Sequence, residues 1–134
     1  MDAKDLTEAA VAAGIASFEA THGGVPASFQ PLLRHAPSAF AGYGLMRAGL
    51  MKDTDAGGAL DLKTKELVFT LLDVLVGQTR GAKAHAANAV RLGLTLPELA
   101  EGLVQCIMVG GITVWNVSGA EVMAHAEAVA AERG

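Results

Sequence analysis

Few side chains in this sequence are suited to moving a proton near neutral pH, and two of them, Glu66 and His85, lie in apolar surroundings. His85 shares a helical stripe with Gln78, Gly81, Ala82, Ala89 and Leu92, and small residues in front of an imidazole leave space for a ligand. Imidazole changes charge near neutrality, so a histidine facing such a space suits a general acid or base. The plainer role is a core histidine satisfied by one backbone carbonyl. Glu66 shares a face with Lys63, Thr70 and Asp73, the make-up of an ordinary solvated stripe. On a largely buried helix, however, a carboxylate is pushed towards its neutral form and can exchange a proton near neutrality; both roles stay open. Gln78 is placed either to donate a hydrogen bond to a substrate oxygen or to satisfy free amides at a helix start. Trp115 and Asn116 are candidates for lining a pocket or an intersubunit contact, Trp115 equally for plain packing.

Other chemistries are poorly supplied. His22, His35 and His125 are scattered without metal-ligand spacing, so no zinc or iron site is expected. The single Cys106 sits among Leu103, Ile107 and Val109, where a thiol is expected to be buried and inert. One cysteine forms no intrachain disulfide, which agrees with a reducing, cytoplasmic setting. The 10 Lys and Arg against 14 Asp and Glu leave no basic stripe for a nucleic acid. The N-terminus lacks the pattern of a secretory signal. The most apolar stretch, residues 103–117, is interrupted by Gln105, Gly110, Gly111, Thr113 and Asn116, which fits a broken core helix better than a membrane span.

The elements that must position these residues are helical. Asp5 with Glu8 reads as a capping box for a first helix ending at Gly23-Gly24. A short helical piece is expected at residues 29–33, and Ser38 is placed to cap a helix reaching about Met51. Asp61 caps a strongly apolar helix over residues 62–76, expected to be the most buried. A further helix ends at Gly93, and Thr95 with Glu98 forms another capping box for a helix reaching Val109. Gly110-Gly111 joins it to a last helix, residues 112–131. The expected fold is all-α, an orthogonal or bundle-like packing of about six helices in a single domain spanning residues 1–134. With 51% apolar but only 18% charged residues in so small a domain, part of the apolar surface is expected to be covered in a homo-oligomer.

The ordered spacing of several pieces carries a resemblance. They are Leu-Asp-Leu-Lys-Thr-Lys-Glu-Leu-Val at residues 60–68, His85-x3-Ala89-x3-Gly93, Thr95-x2-Glu98-x2-Glu101 and Gly110-Gly111-Ile112. Together, over about half the chain, they resemble the carboxymuconolactone decarboxylase and alkylhydroperoxidase D superfamily. Its peroxidase branch opens the histidine-bearing helix with a Cys-x2-Cys pair, and Gln78 and Gly81 occupy those positions here. Without a thiolate and a resolving thiol, peroxide reduction by that route is not expected. The resemblance implies that Glu66 takes the place of that branch's proton-relay glutamate. The decarboxylase branch likewise lacks the pair, keeps a histidine where His85 stands, and has Gly-Ile-x3-Asn at the start of its last helix, matched by Gly111, Ile112 and Asn116. Thr113, the bulky Trp115 and Glu66 depart from that pattern.

The expectation is therefore a cofactor-free acid/base enzyme, most simply a decarboxylase acting on a small carboxylated lactone or keto acid. His85 and Glu66 would be catalytic, with Gln78, Trp115 and Asn116 at the substrate. The resemblance implies a trimer or hexamer. The alternatives are a non-catalytic oligomer that binds a metabolite or partner, and a redox protein using Cys106.

Overall fold

The computed structural model describes all 134 residues, which form helices and turns without strands. Two compact units divide the chain, Met1–Gly58 and Ala59–Gly134.

In the first unit, α1 (Ala3–His22) packs on α3 (Pro37–Leu50), with the short α2 (Gln30–His35) and a 3-10 turn, Ala27–Phe29, between them in sequence. The helices approach where neither has a side chain: a methyl group added to Gly44 would lie 2.5 Å from the Gly14 Cα. Phe18 and Phe40 fill the adjoining space, with Phe29 and Tyr43 stacked about them. Arg47 lies over the Phe18 ring and donates hydrogen bonds to the Ser17 and Thr21 hydroxyls. Two expected caps are corrected here. Asp2, rather than Asp5, accepts from the Asp5 backbone N–H and starts α1 one turn early. Pro37, pre-set for a first helical position, starts α3, so Ser38 is inside the helix and caps nothing.

The second unit carries α4 (Leu62–Leu75), α5 (Thr79–Arg91) and α6 (Leu96–Gly110). A last helix, α7, comprises Ile112–Val114, a π-helical stretch Trp115–Gly119 and Ala120–Arg133. The signals at these ends act as expected. Asp61 accepts from the Thr64 N–H, Thr95 and Glu98 form a reciprocal capping box, and Gly93 and Gly111 take the positive φ values that end their helices. The most buried helix is α5, not α4. Ala82, Ala86, Ala87, Ala89 and Val90 line its inner face, whereas α4 turns Val68 and Leu72 outwards. Small alanines let α5 sit between α4 and α7, with Val74, Leu99, Leu103 and Val122 closing the core. No helix is long and apolar enough to cross a membrane.

Candidate active site

The pairing of α4 with α5 sets the site. Gly77, at φ 77°, turns the chain, and the Gln78 N–H then donates to the Asp73 carbonyl at 2.8 Å. This fixes the start of α5 against the end of α4 and lays the inner faces of the two helices side by side. At the far side of α4, Gly102 of α6 leaves only 3.0 Å between a notional methyl and the Leu71 side chain, so α4 is clamped between its neighbours.

Glu66, midway along α4, is 1% exposed. The solvated-stripe reading of its face is thereby corrected: Thr70, one turn on, is fully buried, and its hydroxyl donates to the Glu66 carbonyl. A buried carboxylate must find partners, and two come from α5. Oε2 of Glu66 lies 2.6 Å from Nδ1 of His85, and Oε1 accepts a longer bond, 3.4 Å, from Nδ2 of Asn88. With Glu66 ionised, Nδ1 carries the proton, which leaves Nε2 as the nitrogen turned towards Asp73.

The imidazole is held from its flat side as well. The Phe69 ring stacks on it, centroids 4.9 Å apart and planes inclined by 22°, so this contact and the hydrogen bond to Glu66 both hold its orientation. The His85 side chain keeps 17% of its surface exposed and the Asp73 side chain 25%. Oδ2 of Asp73 lies 4.0 Å from Nε2 of His85, beyond a hydrogen bond and within strong electrostatic reach. Burial pushes the Asp73 carboxyl above its usual range, and the neighbouring imidazole partly offsets this. The line Glu66, His85, Asp73 thus runs from a fully enclosed carboxylate to a half-enclosed one.

The remaining candidates are less tightly grouped. Gln78 caps α5, its side-chain oxygen accepting from the Gly81 N–H at 3.4 Å. The start of α5 is also tied to the π-helical stretch of α7 by a 2.6 Å hydrogen bond between the Thr79 and buried Ser118 hydroxyls. In that stretch Trp115 packs against the core, while Asn116 is exposed. π-Helical stretches recur at functional sites, but neither residue joins the Glu66–His85 hydrogen bonds. Phe69, Asp73 and Asn88 were not singled out in the sequence as site residues. Phe69 and Asp73 stand three and seven positions after Glu66, and Asn88 three after His85, the spacing that returns to the same helical face.

Cys106 is buried, its thiol directed at the Leu71 carbonyl at 3.5 Å, and burial raises its pKa. No group of three His, Cys, Asp or Glu is gathered as a metal site would require. A surface groove of about 620 Å³ belongs to the first unit, lined by Thr7, Val11, Pro37, Ser38 and the exposed Lys4–Glu8 ion pair, and contains neither Glu66 nor His85.

Comparison with known proteins bears on this geometry. The family described as "Carboxymuconolactone decarboxylase family" matches residues 37–132. Among solved structures, a provisionally named carboxymuconolactone decarboxylase from Burkholderia xenovorans is 29% identical, with a TM-score of 0.86 over 94% of this chain and 95% of that one. No curated protein matches.

Proposed function

Because the chain belongs to the carboxymuconolactone decarboxylase family, we propose that it is a cofactor-free lyase that removes carbon dioxide from a small carboxylated lactone or keto acid. The observation that carries this reading is the 2.6 Å contact between Nδ1 of His85 and the enclosed carboxylate of Glu66. A carboxylate so placed fixes the tautomer and the orientation of the ring, so that Nε2 is the nitrogen through which a proton can pass.

When the substrate carboxylate leaves as carbon dioxide, the electron pair of the broken carbon–carbon bond flows into the conjugated carbonyl. The proton on Nε2 of His85 passes to the carbon that must be quenched, and Nε2 recovers a proton from water. Glu66 stays ionised, accepting from Nδ1–H throughout. Gln78, at the start of the helix that bears His85, is assigned to the substrate carbonyl, and Trp115 and Asn116 to the pocket lining. The exposed apolar side chains Val104, Met108, Val109 and Ile112 support the expectation that copies of the chain associate.

The test is carbon dioxide release from 4-carboxymuconolactone by the purified protein and by His85→Ala. Turnover in the wild type that disappears in the variant is the expected result. An inactive wild type would remove this substrate class and leave the binding role.

A further inference from the structure

Glu66 is met from α5 at both of its carboxylate oxygens, by two side chains three residues apart. Nδ1 of His85 meets Oε2 at 2.6 Å, and Nδ2 of Asn88 donates to Oε1 at 3.4 Å. Residues at this spacing are neighbours on a helix face, about 4.5 Å apart along the axis at 1.5 Å per residue. One carboxylate set across that interval serves both, an oxygen to each. It is closed off from water, Glu66 being 1% exposed, and no buried side-chain nitrogen or oxygen lacks a hydrogen-bond partner. Thr70, fully buried one turn along α4, gives its hydroxyl to the Glu66 carbonyl rather than to the carboxylate.

Resting on the acid/base reading of His85, we propose that Asn88 is a further positioning residue: through Oε1 it fixes the plane of the Glu66 carboxylate so that Oε2 meets Nδ1 of His85. The terminal torsion of a glutamate is broad and roughly two-fold, so a hydrogen bond to one oxygen alone lets the carboxylate plane swing. A bond to the other oxygen, from a separate side chain, removes that freedom. The two bonds differ in kind. At 2.6 Å the His85 contact is as short as a charge-assisted bond, whereas the Asn88 contact, at 3.4 Å, is long for a neutral N–H donor. Asn88 therefore contributes direction more than strength, and direction is what a proton-carrying imidazole requires of the carboxylate behind it.

An amide suits this place because it donates without carrying charge. A lysine or arginine would compete with the imidazole as the ionic partner of Glu66, and an aspartate would set a second negative charge against an enclosed one. Asn88 has further interactions of its own, so an effect through Glu66 must be separated from an effect through those. Coupling makes the separation: a residue that works by orienting Glu66 has nothing to orient once the carboxylate is removed.

The test is a double-mutant cycle in the full-length protein, comparing wild type, Asn88→Ala, Glu66→Ala and the double variant, with 4-carboxymuconolactone as the probe and circular dichroism to verify folding. Asn88→Ala is expected to lower kcat by about 10-fold, a part of what positioned proton transfer supplies, with KM held within about 2-fold. In the Glu66→Ala background the same change is expected to lower kcat no further. Asn88→Asp keeps the shape of the side chain and turns the donor into a repelling group, so it reads the same contact if Asn88→Ala does not fold, and should lose at least as much. Losses that multiply across the cycle, or wild-type kcat in Asn88→Asp, overturn the proposal. A wild type that releases no carbon dioxide defeats the decarboxylase reading instead. Asn88 is then judged in the resting protein by proton NMR of the His85 ring N–H. A signal displaced in Asn88→Asp, as it is in Glu66→Ala, supports the positioning role, and a signal left in place overturns it.

Discussion

Nδ1 of His85 on α5 lies 2.6 Å from Oε2 of Glu66 on α4, with Glu66 enclosed and His85 partly open. The asymmetry divides the labour. In the proposed mechanism the enclosed carboxylate, 1% exposed, acts through the imidazole, which keeps 17% of its surface open. Glu66 is then a positioning residue, and His85 the one proposed to exchange the proton.

Glu66→Gln keeps the shape of the side chain and removes its charge. Proton transfer through His85 should weaken by about 10²-fold or more, with the Michaelis constant little changed because Glu66 does not touch substrate. Proton NMR should show the ring NH signal of His85 altered along with the loss of rate. A variant with wild-type kcat would mean that the pair is only structural. Glu66→Ala also removes the acceptor of a buried hydrogen bond and should cost about 1–3 kcal/mol in urea unfolding.

Asp73 makes the site a cost to the fold. Its carboxyl is pushed up from an ordinary value of 3.8 by burial, so the folded chain holds this proton more tightly than the unfolded chain does. The contribution is complete below the unfolded value and is lost as pH rises through the higher folded one. At neutral pH, Asp73→Asn should therefore melt above the wild type, with the difference closing in acid below the unfolded value. Equal melting temperatures at neutral pH would contradict the burial argument.

Cys106 gives an independent check on the redox alternative. Its thiol is 3% exposed and its pKa is raised by burial, so at mildly alkaline pH the folded protein holds less thiolate than a free cysteine. Iodoacetamide should label it slowly in the native protein and quickly in urea, and peroxide should persist in its presence. Fast native labelling together with peroxide consumption would instead favour a redox role.

Much of the fold was legible because its signals are local. Asp61, Gly93 and the Thr95–Glu98 pair act within one helical turn, and their effect depends on nothing distant. The starts of α1 and α3 were misread where two competing local signals lay within a few residues, Asp2 against Asp5 and Pro37 against Ser38. The candidate site was legible only in part, since its contacts join residues distant in sequence. Glu66 and His85 were found by spacing and by resemblance. Asp73 looked like one member of a polar stripe, because periodicity groups the residues of a helix face without saying that α5 will cover part of it. Similarly, the alanines that made the His85 stripe look roomy are the means by which α5 packs tightly, and Phe69 covers one side of the ring.

The central claim is that His85 hands one proton to one face of the carbon left electron-rich by decarboxylation. It is tested most directly by running 4-carboxymuconolactone turnover in deuterium oxide and reading the product at once by NMR. A single deuterium on one face of the new methylene, absent when His85→Ala replaces the wild type, is the predicted result. Label spread equally over both faces would show that water, not His85, protonates the carbon, and would contradict the account.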